Sequence, residues 1–279
     1  MPVETQQAKA EHFRRLHQAP PILVLPNAWD AGSARIFEQA GFPALGTTSA
    51  GVAFALGRPD GQRISRSEML EAVRRITSAV HIPVTADIEA GYGKTIEEIL
   101  DTVKGVIAAG AAGINIEDAP PDTEGVLLDL PYQTDLIAAL RRAAAEAGVP
   151  LVINARTDVY LAGVGAPEGR FEDAVRRANA YREAGADCLF VPGVRDATLI
   201  RRLAQEIRGP INILAGPGVP PAPELERLGV ARVSSGSGPM RATLALIRQI
   251  AGELKERGTF ASFTGNAIPY AEANRLFGG

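Results

Sequence analysis

Cysteine is almost missing from this chain. Cys188 is the only one in 279 residues, which excludes an internal disulfide and any metal site built from several thiolates. Histidine is scarce too: His12, His17 and His81 fall in no pattern that draws a Ser-His-Asp or Cys-His catalytic arrangement. There is no basic surplus. Lys and Arg number 29 against 32 Asp and Glu, a net charge of −3, so nucleic acid and anionic membrane surfaces are poor partners. No apolar run approaches the ~18–20 residues that span a bilayer. The polar, helix-like opening stretch, residues 1–17, lacks the apolar centre of a secretory leader. No low-complexity tract or linker divides the chain. These absences point to a cytoplasmic protein that works on small molecules.

What is present is a repeating alternation. Short apolar runs occur at residues 22–26 (ILVLP), 44–49 (ALGTTS), 83–89 (PVTADIE), 113–118 (GINIED), 150–157 (PLVINART), 187–192 (DCLFVP), 210–216 (PINILAG) and 231–236 (ARVSSG). Such runs read as buried parallel strands. Each is followed by a helical pattern, as in Met69, Leu70, Val73, Ile76 and Val80, or Ile96, Ile99, Leu100, Val103 and Ile107. Several helices finish in Ala-Gly (Ala40-Gly41, Ala109-Gly110, Ala147-Gly148, Ala184-Gly185), and glycine suits the left-handed position that closes a helix. Eight strand–helix units predict an α/β fold, a (β/α)8 TIM barrel. An open doubly wound sheet is the alternative, because strand runs alone do not prove closure. The expected organisation is a barrel with an N-terminal helix over 1–258 and a C-terminal helical extension over 259–279. Tyr270, Leu276 and Phe277 lie on one side of that extension, and need the barrel or a neighbouring subunit to cover them.

The chemistry gathers at the carboxyl ends of the runs. Asp87 and Glu89 close the third run, Glu117 and Asp118 the fourth, and Asp60 stands in the loop LGRPDG. Asp87 and Glu89 are two apart, so on a strand they face the same way. Two inward carboxylates repel unless a cation or a proton intervenes. An all-oxygen donor set favours Mg²⁺, with Mn²⁺ as the alternative, over Zn²⁺. A structural network with Arg156 and Lys94 is the competing reading. Arg156, in INARTD, presents a planar fork to a carboxylate or phosphate; a salt bridge to Asp158 or Glu117 would explain it equally. In GTTSAG the backbone N–H groups of Thr48, Ser49 and Ala50 could cradle an anion, or the stretch could be only a loop.

Taken together, PNAWDAGSARIFEQAGFPALGTTSAG, LGRPDG, TADIEAGYG, GINIEDA and NARTDVY resemble the isocitrate lyase/phosphoenolpyruvate mutase superfamily, in order, over roughly residues 20 to 240. The resemblance implies a Mg²⁺-dependent α/β barrel that binds 2-oxo acids or their enolates and makes or breaks the C–C or P–C bond beside them. It implies that Asp87 touches the metal and that Glu89, Asp60 and Glu117 hold the metal's waters, Glu89 standing where Asp is more frequent. It implies substrate contacts from Thr48, Ser49, Ala50, Asp87 and Arg156, with Arg156, Asp60 and Glu117 as the catalytic set. It also implies a homotetramer, or a dimer, with an exchanged terminal helix.

The same comparison exposes departures. The lyases carry a Lys-Lys-Cys-Gly-His lid and the mutases an Asn-bearing one. Here the stretch EDAPPDTEGVLLDLPYQ offers only Asp122, Thr123 and Glu124 as polar lid residues. A solvated loop is the plain alternative. Near the sixth run, where lyases place Glu and mutases His, stand Pro192 and Gly193. Cys188 starts that run, away from the chemistry, and reads as a core thiol. Asn212 and Asn154 could face the site or hydrogen-bond inside the barrel. Trp29 could wall the pocket or simply pack. The expected function is a Mg²⁺-dependent lyase acting on an oxaloacetate-, 2-oxoglutarate- or alkylmalate-like acid through an enolate. Phosphonopyruvate P–C chemistry, as mutase or hydrolase, is one alternative; a 2-oxo-acid binding protein with little turnover is another.

Overall fold

Pro26 has no backbone N–H to donate. It splits the first apolar run into two short strands, β1 (Leu23–Leu25) and β2 (Asn27–Ala28). In the computed structural model, which describes residues 5–18 and 20–278, seven further strands follow. They are β3 (Leu45–Thr47), β4 (Val84–Asp87), β5 (Gly113–Glu117), β6 (Val152–Arg156), β7 (Cys188–Phe190), β8 (Ile211–Leu214) and β9 (Arg232–Ser234). Expectations for residues 1–4 and 279 lie outside the described residues. All neighbours pair in parallel, and their order runs from β1 through β9, β8 and on down to β2. β1 and β2 are one stretch of chain joined at Pro26, whose carbonyl still accepts from Gly46 N–H at 2.9 Å. The sheet therefore closes on itself as a (β/α)8 TIM barrel, and the open-sheet alternative is excluded.

Helices wrap the strands with their apolar stripes inward. Local chemistry sets their starts. Ser65 accepts from the Glu68 amide while Glu68 reaches back to the Ser65 amide, a reciprocal cap on the helix Arg66–Ala79. Asp30 caps Ala31–Gln39 in the same way, with Ser33 as its partner. The N-terminal helix Gln6–Arg15 seals the amino ends of the strands. Its Phe13 is fully buried beside the start of β5, and Arg14 pairs with Asp187 at 3.0 Å and donates to the Pro150 carbonyl at 3.1 Å.

The last barrel helix behaves differently. Gly238–Arg257 buries only Met240 and Glu253, leaving Leu244, Leu246, Ile247 and Leu254 exposed. Beyond it, the Glu253 carboxylate accepts from the amides of Ala261 (2.8 Å) and Ser262 (2.6 Å). This ties the short helices Ala261–Thr264 and Tyr270–Phe277 to its end. Tyr270 is 85 % exposed and Phe277 54 %, although Phe277 reaches the helix Ala31–Gln39 near Gly32. Val24, on the outer face of β1, is also exposed.

Candidate active site

At the carboxyl ends of the strands lies a cavity of about 250 Å³. Thr48, Ser49, Ala50, Asp60, Asp87 and Arg156 all line it, so residues far apart in sequence meet there. Thr48 caps the short helix Ser49–Ala55 by accepting from the Gly51 amide at 3.3 Å. Gly51 must stay bare: a Cβ there would lie 2.5 Å from the Thr48 methyl and 3.0 Å from Trp29. The Ser49 amide does not face a free ligand space. It donates to Asp87 Oδ2 at 3.0 Å, and the Ser49 hydroxyl donates to the same oxygen at 2.8 Å. Among the described residues the Ala50 amide has no acceptor, as first-turn donors commonly lack one within their helix.

Asp87 is held from a second side by Asn115, which donates to Oδ1 at 3.0 Å. Asn154 in turn donates to Asn115 at 2.8 Å. These residues stand level on β4, β5 and β6, so a polar relay crosses the barrel interior to fix one carboxylate. Asn115 escaped sequence reasoning, although a polar residue inside an apolar strand was the available clue.

Glu89 departs from the strand geometry expected of it. β4 ends at Asp87, and Glu89 has a positive φ of 50°, so two-residue alternation no longer governs its side chain. Its carboxylate accepts from the Tyr92 hydroxyl at 2.6 Å and the Gln62 amide at 2.7 Å. Burial, with Asp87 and Asp60 nearby, pushes its pKa up to about 7 despite those donors. Asp60 sits on an exposed loop with its carboxyl turned into the cavity; desolvation there, and then Asp87, raises its pKa. Glu117 is raised well above the ordinary carboxyl value, because burial outweighs the attraction of Arg156.

Arg156 is committed on both sides. Nε and Nη2 donate to Asp158 at 2.6 and 2.8 Å, and Nη1 meets Glu117 at 2.8 Å. The salt-bridge reading of this arginine is therefore observed, and the guanidinium also faces the cavity. Asp118, fully buried, accepts from the Asp158 amide at 2.9 Å and the Tyr181 hydroxyl at 2.7 Å, fixing the loop that carries Asp158. Beside Arg156 the wall turns apolar, made by Phe190, Leu161 and Leu214. Gly193 lets that wall close, since a Cβ there would lie 2.9 Å from the Leu161 nitrogen.

Several expected contributors lie elsewhere. Trp29 lines a separate cleft with Asp30 and Gly32. Asn212 is wholly buried beneath the site and donates to Ser234 at 3.1 Å. Asp122, Thr123 and Glu124 are exposed and do not line the cavity; Asp122 pairs with Arg63 and Thr123 bonds the Pro120 carbonyl at 2.9 Å. Lys94 makes no ion pair with the acids, among the described residues. Cys188 is fully buried, and burial pushes its thiol up to about 12.

A cation suits this mouth. Asp60 and Asp87 face the cavity, Glu89 lies near both, and Glu117 and Asp158 grip Arg156; burial with mutual repulsion drives the pKa values of Asp60, Glu89 and Glu117 upward. Among the described residues no three acids or histidines crowd closely enough to wrap an ion directly. One direct ligand, with other acids acting through water, is the arrangement such spacing allows.

Comparison with known proteins decides the lineage. The phosphoenolpyruvate phosphomutase family model matches residues 13–255. The chain belongs to the isocitrate lyase/phosphoenolpyruvate mutase superfamily. Within that superfamily it is 30% identical to 2-methylisocitrate lyase of Bacillus subtilis, over 91% of this chain and 84% of that protein. It is 31% identical to oxaloacetate decarboxylase of Rhodopseudomonas palustris, over 86% and 83%. A crystal structure of phosphonopyruvate hydrolase with oxalate and Mg²⁺ matches with a TM-score of 0.85 and 26% identity, covering 97% of this chain and 95% of that one. As a superfamily enzyme this chain thus shares relatives that act on C–C bonds and on P–C bonds.

Proposed function

We propose that this protein is a Mg²⁺-dependent lyase that cleaves or forms a C–C bond beside the carbonyl of a small 2-oxo acid of the oxaloacetate, 2-oxoglutarate or alkylmalate class. The observation that carries the reading is the acid-rich mouth, where Asp60 and Asp87 line a cavity beside Arg156, whose fork is held by Glu117 and Asp158, with an apolar wall completing it. Asp87 would hold the ion directly and Glu89, Asp60 and Glu117 its waters. The bound ion would supply a positive charge beside the oxygen where enolate charge develops.

The chain's own groups do the rest. Asp158 and Glu117 keep the Arg156 fork in one orientation, aimed at the substrate's 2-oxo-carboxylate oxygens. The Ala50 amide offers a further donor to that end. Ser49 and Asn115 hold Asp87 in place rather than contact substrate. With oxaloacetate, the bond to the distal carboxylate breaks, CO2 leaves, the electron pair passes to the 2-oxo oxygen as an enolate, and a proton then returns to carbon. Phe190, Leu161 and Leu214 keep bulk water from the resulting anion. Losing one such donor lowers rates by roughly 10²–10³-fold in well-studied sites.

Phosphonopyruvate chemistry is the second reading, supported by the hydrolase likeness. A phosphonate asks for extra cationic partners, and the lid stretch supplies none. The test is incubation with Mg²⁺ and oxaloacetate, alkylmalates or phosphonopyruvate in turn. Release of a 2-oxo acid from the first two supports the proposal. Phosphate from phosphonopyruvate reverses the order, and binding without any turnover makes the protein a 2-oxo-acid binder. A tetrameric or dimeric assembly, with the terminal helices exchanged between subunits and residues 259–279 as an extension beyond the barrel at 1–258, belongs to the same proposal.

A further inference from the structure

Among the described residues, one buried charge in the barrel has no counterpart. Arg232 opens β9 in register with Leu23 and Asn212 and is 2 % exposed. Strand alternation turns Arg232 and Ser234 inward and Val233 outward. Both inward residues line the same cavity as Arg156 and Asp87.

Three other buried or half-buried arginines meet a carboxylate. Arg156 meets Glu117 and Asp158, Arg177 meets Asp118, and Arg141 meets Asp187. Arg232 meets none among the described residues. Its Nη1 lies 3.5 Å from His17 Nε2, its guanidinium sits 5.9 Å from the centre of the Phe13 ring, and its buried Nε has no partner. The floor around it cannot balance the charge. His17 shares its Nδ1 with the Phe13 carbonyl at 2.8 Å, and burial brings its pKa down to about 3, so the imidazole is neutral. Cys188 is a neutral buried thiol. Asp87 attracts Arg232 only from a distance, and its oxygens are already engaged by Ser49 and Asn115. Burial lowers the Arg232 pKa only to about 10, so the guanidinium stays charged at neutral pH. An uncompensated buried cation persists when something of opposite charge completes it. Phe13 closes the side below, and the cavity is the open side.

We propose that Arg232 binds the second carboxylate of the substrate, so that the site selects a short dicarboxylate with its 2-oxo end at the mouth and its tail directed down the barrel axis. The assignment rests on the 2-oxo-acid reading above and narrows it. Arg156, saturated by two acids, orients the reacting end. Arg232, unsaturated, reads the tail through donors suited to a carboxylate fork.

The test compares 2-oxoglutarate with 2-oxopentanoate, which carries a methyl in place of the distal carboxylate, by titration calorimetry in Mg²⁺. The wild-type protein should prefer the diacid by about tenfold or more. Arg232→Met, which refills the floor with an apolar side chain, should erase that preference while changing 2-oxopentanoate affinity less than about twofold. Arg232→Lys should keep part of the preference; this variant decides the matter if Arg232→Met does not fold by circular dichroism. The proposal is overturned if the preference survives in folded Arg232→Met, if both ligands weaken equally there, or if Arg232→Lys matches the wild type. Equal wild-type affinity for the two acids removes the Arg232 assignment alone. Failure of the wild type to bind either acid removes the 2-oxo-acid reading and this assignment with it.

Discussion

A carboxylate that must receive a cation is useful only if it is already aimed. Asp87 is aimed by two Ser49 donors and by Asn115. Replacing Asp87 with Ala should therefore abolish Mg²⁺-dependent oxalate binding in calorimetry. Asn115→Ala should weaken it by about 10–100-fold, the usual loss when a ligand's supporting hydrogen bond goes. Unchanged binding in a folded Asp87→Ala protein would remove that residue from the site. Glu89 gives a pH prediction. Its folded pKa near 7 exceeds the ordinary 4.5, so the folded state holds more protons than the unfolded one between those values. Without a cation, its contribution is fully favourable below about pH 4.5 and is lost as pH rises through about 7, at most ~3 kcal/mol. A cation favours the ionised form. The gain in Tm from added Mg²⁺ should accordingly be larger at pH 8 than at pH 5; an equal gain would count against a cation among these acids. At this scale the sequence revealed Asp60, Asp87, Glu117 and Arg156, which all stand at one mouth. It hid Arg232 and Asn115, because one inward polar residue in an apolar run looks the same whether it serves the core or a ligand.

Among the elements, the helix Gly238–Arg257 carries the clearest consequence. Its sequence has the apolar content of a barrel helix, yet Ile247 is 58 % exposed and Leu246 48 %. The outer face of β1 is bare at Val24 at the same time. A helix without a groove and a strand without a cover, in one chain, fit exchange between subunits. Ile247→Glu should lower the particle mass in size-exclusion chromatography with light scattering, and a wild-type monomer in that measurement would remove the proposed assembly. A helical pattern was expected after the eighth run, but the sequence could not say against which surface it packs, since an apolar stripe looks the same on either side of a subunit boundary. The strand reading erred in a related way at Glu89. Alternation was extended past Asp87, where a positive φ had already ended the pleat.

For the molecule as a whole, closure and plugging go together. Eight apolar runs were legible as strands and their number pointed to a barrel, but runs alone did not prove closure, which depends on β1 and β2 passing through Pro26 from one neighbour to the other. The Phe13 plug was likewise invisible in a helix that reads as polar. Phe13→Ala should destabilise the fold by about 3–5 kcal/mol in urea unfolding, while the folded fraction still binds oxalate at the opposite end. At that end the rim loops are not independent. Arg63 and Asp122 clasp the segment bearing Asp60 to the stretch after β5, and both side chains are more than half exposed. A surface ion pair of this kind is weak and yields to dissolved salt. The two loops should then part more readily in concentrated electrolyte, making the doorway's traffic responsive to ionic strength while the recess behind it keeps its shape.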